Sequence, residues 1–196
     1  MNLTEMRARV REDLQDTDSE NHRWTDDEVD GAIDRVVQEY SLHAPIEQRD
    51  DIATTDDDTE LDISPLTGLL KIESIELPIG QTPRYYQRFA LWAGKVYMTD
   101  KGNGEDARVK WLKKHSLTAE STTIPAEHEE IIILGATGYL AMSAAVYTVD
   151  RASIAGRHAT SNFKAWGKER LDRYDRKLKE VARSSRVIQR TFYTDE

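Results

Sequence analysis

The sequence predicts an α+β protein: a four-helix bundle-like α domain interrupted by an antiparallel β insertion, with an extended C-terminal tail. Three observations carry this reading. Apolar residues recur at helical spacing toward both ends of the 196-residue chain, they alternate with period two in its middle, and no long helix separates the alternating segments. Strands joined by short turns pair antiparallel, whereas parallel strands need long crossovers. The helical domain is expected over 1–50 and 124–184, the insertion over 51–123, and the tail over 185–196.

A first helix is expected over 4–15, with Met6, Val10 and Leu14 on one face, ended by the polar run 16–22. The segment Arg23-Trp24-Thr25-Asp26-Asp27-Glu28-Val29 then reads as a helix start. Thr25 and Glu28 have capping-box spacing, and Trp24 and Val29 have that of a hydrophobic staple. Asp26 and Asp27 place negative charge at the positive end of the helix dipole. Trp24, Thr25, Glu28 and Val29 are therefore a structural cap, and no reactive group belongs to them. The second helix, expected over 26–42, carries Val29, Ile33, Val36, Val37 and Tyr40 as an apolar stripe, and Pro45 stops further helix.

From 52 to 123 the period changes to two. Leu61 and Ile63 alternate, then Leu70 and Ile72, and, after a shift, Ile75 and Leu77. A run ending in Phe89-Ala90-Leu91-Trp92 leads through Ala93-Gly94 into Lys95-Val96-Tyr97-Met98, a predicted hairpin. Gly102-Asn103-Gly104 is a second turn, and Ala107, Val109 and Trp111 alternate with polar or charged neighbours. Four to six short strands are expected.

Pro125 suits the first turn of a third helix, which is expected to continue to about residue 149. A fourth helix, expected over 160–184, places Phe163, Trp166, Leu171, Tyr174, Leu178 and Val181 near one side. Glu169–Arg173, Asp172–Arg176 and Asp175–Lys179 are acid-before-base pairs at i, i+4 on its other side. The final segment is too apolar for an idle tail, with Val187, Ile188, Phe192 and Tyr193 among its residues.

The net charge of −9 hides a gradient. Residues 1–60 hold nineteen acids and six bases, while residues 157–196 hold eleven bases and six acids. Opposite charge at the two ends either neutralises within one chain or attracts neighbouring copies. The absence of cysteine excludes disulfides and thiolate metal sites and is compatible with a reducing compartment. The first residues lack the apolar core of a secretion signal, so secretion is not expected.

Motifs of catalysis or cofactor binding do not emerge. Asp16-Thr17-Asp18-Ser19-Glu20-Asn21 imitates the start of a calcium loop, but Asn21 replaces the glycine and Asp27 the closing glutamate. It reads as an acidic turn, and Asp56, Asp57, Asp58 and Glu60 as a solvated loop. His128-Glu129-Glu130-Ile131-Ile132 lacks the second histidine of a zinc-protease helix. No nucleophile elbow, phosphate-cradling loop or dinucleotide fingerprint occurs. The expectation is a non-enzyme with no catalytic residue, metal or cofactor.

Residues 131–149 form a charge-free run long enough to suggest a membrane span. Gly135, Ala136, Gly138, Ala141, Ser143, Ala144 and Ala145 are small, however, which suits a buried central helix approached closely by others. The expectation is a central helix and no membrane partner. Lys164, Lys168, Arg170, Arg173, Arg176, Lys177, Lys179, Arg183, Arg186 and Arg190 invite a second reading, a DNA-binding packaging or regulatory factor using the basic C-terminal helix. The interleaved acids and the acidic whole favour a solvated face.

Arg11-x-x-Leu14-x-Asp16, then Arg23-Trp24-Thr25-Asp26-x-Glu28 with Ile33 and Tyr40, resembles the head–tail adaptor (connector, or head-completion) proteins of tailed bacteriophages. Ile124-Pro125-Ala126 opening an alanine-rich helix before an amphipathic one adds to the likeness, which covers about 120 residues at the two ends. The resemblance implies a virion structural protein of the capsid neck, assembled in the host cytoplasm. It implies a homo-oligomeric ring, usually of twelve subunits, that docks beneath the portal, extends the DNA channel and offers a platform to the next neck or tail protein. Double-stranded DNA would pass through the lumen without specific binding. In the family the C-terminal segment commonly engages the portal; here that segment holds Arg186, Val187, Ile188, Arg190, Phe192 and Tyr193.

Overall fold

In the computed structural model of the protein, the described residues are 1–150 and 156–186, with side chains described for 1–144 and 163–184. The chain is α+β and divides into two compact units, Met1–Ala44 with His115–Glu196, and Pro45–Lys114.

The first unit contains α1 (Leu3–Leu14), α2 (Asp26–His43), a 3-10 turn (Ala126–His128), α3 (Glu129–Asp150) and α4 (Gly156–Arg186). α1 starts in a capping box that sequence reading overlooked: Asn2 accepts from Glu5 N–H, and the Glu5 carboxylate accepts from Asn2 N–H. α3 packs against the three other helices. Ile131, Ile132, Ile133, Leu134, Ala136, Leu140, Ala141 and Ala144 are buried, as expected of a helix enclosed by partners.

Glycines allow the close approach. A Cβ on Gly135 would lie 2.8 Å from Val36, one on Gly138 2.8 Å from Leu171, and one on Gly167 3.0 Å from the Ala141 Cβ. No helix among the described residues is long and apolar enough to cross a membrane. The third helix begins later than Pro125: His128 N–H bonds to Pro125 C=O, so a tighter turn precedes it. The fourth extends past 184 to Arg186, and the tail beyond it, 187–196, lies outside the described residues.

The second unit holds seven strands: β1 (Ile46–Ala53), β2 (Glu60–Leu61), β3 (Leu69–Glu76), β4 (Tyr86–Gln87), β5 (Phe89–Trp92), β6 (Lys95–Met98) and β7 (Asp106–Lys113). They form two antiparallel sheets, of order β1-β7-β3-β4 and β2-β6-β5. Ile72, Ile75, Leu77, Ala107, Val109, Trp111, Leu61, Val96 and Met98 meet in their core. The periodicity shift between Ile72 and Ile75 is a register irregularity between Ile72 and Ser74 on β3.

The boundaries differ from those expected. The β unit begins at Pro45 rather than 51, because Ile46 to Ala53 pair along all of β7. It ends at Lys114 rather than 123, because the turn after it bonds into the helical unit. Leu3 N–H donates to Thr118 C=O, and Thr118 N–H to Ser121 C=O. His115 fastens the ends of the excursion: its N–H donates to Ser41 Oγ, Nε2 lies 2.8 Å from Ala44 C=O and Nδ1 3.0 Å from Thr123 C=O. Burial pushes its imidazole pKa below the ordinary value.

Candidate assembly surfaces

The motif shared by α1 and α2 resolves into one polar lock. Gln15 takes the left-handed conformation after α1 and turns the chain, bringing Asp16 back beneath Arg11. Arg11 and Asp16 are only 7% and 8% exposed. Arg11 Nη1 donates to Asp16 at 2.5 Å, and Nη2 to Trp24 C=O at 3.0 Å and to Asp26 at 2.7 Å. The other oxygen of Asp16 accepts from Arg23 N–H at 2.7 Å. A buried guanidinium is therefore matched by two carboxylates and a carbonyl, which charge burial requires.

Thr25 and Glu28 close the predicted capping box at 3.2 and 2.8 Å, while Trp24 and Val29 are buried in the helical core. Arg7 reaches from α1 to both Asp26 and Asp30 on α2. Arg11 and then Arg7 hold the exposed Asp26 carboxyl below its usual range. Asp16, first oxygen of the imitation calcium loop, is thus a structural acceptor for Arg11 and Arg23.

A second cluster orders the α2–α3–α4 contact. Glu39 accepts from Tyr139 OH at 2.9 Å, from Tyr174 OH at 3.2 Å and from Arg35 Nε at 3.1 Å. Arg35 lies flat over Tyr139, 3.8 Å from its ring centre. Burial, then the Glu39 carboxylate, pushes both phenol pKa values up. These partners are about 100 residues or more apart in sequence and left no local signal.

The charge gradient is only partly closed within the described residues. Arg170 of α4 meets Asp13 of α1 at 2.7 Å, and Arg23 covers Phe163. Of the three predicted i, i+4 pairs, Asp175–Lys179 forms, whereas Glu169–Arg173 and Asp172–Arg176 are not among the ion pairs of the described residues. α4 otherwise shows water a mixture of both signs.

No family model matches this chain, and no curated protein matches it. Arg186 ends α4, with its side chain outside the described residues; Val187, Ile188, Arg190, Phe192 and Tyr193 lie outside them altogether.

The most apolar exposed point among the described residues is the β5–β6 hairpin. Leu91 is 53% and Trp92 75% exposed, beside a turn in which Ala93 (φ 49°) and Gly94 (φ 76°) both take positive φ. That is the tight two-residue turn matched to strand twist. Gln87 anchors its base, donating to Leu77 C=O and Asp100 and accepting from Asp100 N–H. Sequence reading found the hairpin but not the exposure of Trp92, since alternation alone does not tell which face is covered.

Proposed function

We propose that this protein is a head–tail adaptor of a tailed bacteriophage. It is a non-enzymatic ring component beneath the portal that continues the DNA channel and receives the next neck or tail protein. One observation carries the reading. Of the residues that bear the family likeness, Arg11, Asp16, Arg23, Trp24 and Asp26 tie α1 to the start of α2, and Thr25 and Glu28 cap α2 beside them. A motif committed to rigid helix placement suits a part whose work is to present surfaces. A ring built from this chain needs a head-to-tail contact between unlike faces, and the uneven charge supplies unlike faces. An acidic lumen would repel DNA and let it slide.

In this assignment the segment after α4 engages the portal through Val187, Ile188, Phe192 and Tyr193, flanked by Arg186 and Arg190. The test is removal of residues 185–196. The truncated chain is expected to keep its melting temperature and to lose portal binding in a pull-down. Undiminished portal binding would overturn the assignment of the tail.

A further inference from the structure

Gly31 is a glycine without a reason inside its own chain. It lies on the exposed side of α2, where glycine weakens a helix relative to alanine. Gly135, Gly138 and Gly167 are explained by helices that crowd them to 3.0 Å or less, but a Cβ on Gly31 would meet nothing within 4 Å. The surface around it is a shallow groove between α2 and α3, lined by Ala32, Arg35, Tyr139, Leu140 and Met142. Its wall is rigid, because Arg35 is stacked on Tyr139 and both are bonded to Glu39.

The same chain carries a projection suited to such a groove. Trp92 and Leu91 stand exposed at the end of a tight hairpin, and tryptophan is among the side chains enriched as interface anchors. The charges match as well. Residues 88–98 contain no acid and leave Arg88 exposed, Lys95 being paired with Glu60, while the α2 surface beside Gly31 carries exposed Asp27, Glu28 and Asp34 against the single cation Arg35, itself paired with Glu39.

We propose that the β5–β6 hairpin of one copy seats Trp92 on the Gly31 groove of a neighbouring copy. The knob and the groove are different surfaces, so the contact is heterologous and repeats from copy to copy, as ring closure requires. Gly31 then serves close approach: a methyl there fills the space that the indole takes. This inference rests on the self-assembly in the function proposed above, and adds the surfaces that make it.

The chain contains no cysteine, so single thiols report contacts cleanly. Asp27→Cys beside the groove and Ala90→Cys on the Trp92 side of β5 leave both contact residues in place. Mixed and treated with a short bismaleimide, the two full-length variants are expected to give a linked dimer that neither forms alone. Gly31→Ala is expected to raise the melting temperature of the dilute chain while weakening self-association about tenfold or more. Trp92→Ala is expected to weaken association with no change in melting temperature. Assembled rings that fail to cross-link through these thiols, or whose association is untouched by Gly31→Ala, would overturn the contact and leave the ring standing. A double variant that links only within one chain would also overturn it. Chains that neither link nor associate at high concentration would remove the contact and the ring together.

Discussion

The α1–α2 junction and the β5–β6 hairpin invert each other. At the junction a guanidinium and a carboxylate are buried and fully matched, whereas at the hairpin a tryptophan is left 75% in water. Ordinary folding economy puts apolar groups inside and charge outside. The junction departs from it to fix an angle between helices, since its polar partners accept only one geometry. The hairpin departs from it without any gain within its own unit. The first departure fixes local geometry, and the second is the surface that the proposed contact between copies would use.

That contrast is broken most directly at Arg11. Arg11→Ala leaves Asp16 buried without its cation and should cost about 3–5 kcal/mol, read as a lowered urea midpoint. Trp92→Ala should fall within about 0.5 kcal/mol of the parent in the same measurement. Equal losses in the two variants would erase the distinction.

Overpacking comes next. Gly138→Ala places a methyl 2.8 Å from the Leu171 side chain and should destabilise by about 1–3 kcal/mol, whereas Gly31→Ala should stabilise by about 0.5–1. Opposite signs for the same substitution on two helices would sharpen the assignment of one glycine to the core and the other to a partner.

Alkaline titration of a Tyr40 variant probes the helical core. Tyr40 lies with its hydroxyl 2.6 Å from His128 Nδ1, and burial, then the Glu127 charge, pushes its pKa up to about 12. A phenol free in the unfolded chain titrates near 10. The folded state thus holds its proton longer, and this contribution is whole below about pH 10 and is lost as pH rises through about 12. Its size is about 2–3 kcal/mol, so Tyr40→Phe should flatten the fall of stability across that window. Parallel curves for parent and variant would contradict the assignment.

At the cap, Thr25→Ala should cost about 1 kcal/mol by freeing one helix amide.

What could be read in the sequence was short in range. The Thr25–Glu28 box, the Ala93–Gly94 turn and the Ile72–Ile75 shift each lie within a few residues, where spacing determines geometry. The Asn2–Glu5 box had the same signature and was overlooked. β1 was hidden because Glu47, Gln48, Arg49, Asp50 and Asp51 show no alternation: it is an edge strand with five exposed polar residues in a row. The Arg11 lock and the Glu39 cluster depend on helices meeting, and the Gly31 groove on α2 lying beside α3, so no local pattern announces them.

The measurement that bears most directly on the proposed role is electron microscopy of the purified full-length protein, alone and mixed with a phage portal protein. Annular particles seated coaxially on portal rings are the predicted result. Single chains that never join one another or the portal, whatever the concentration, would contradict it.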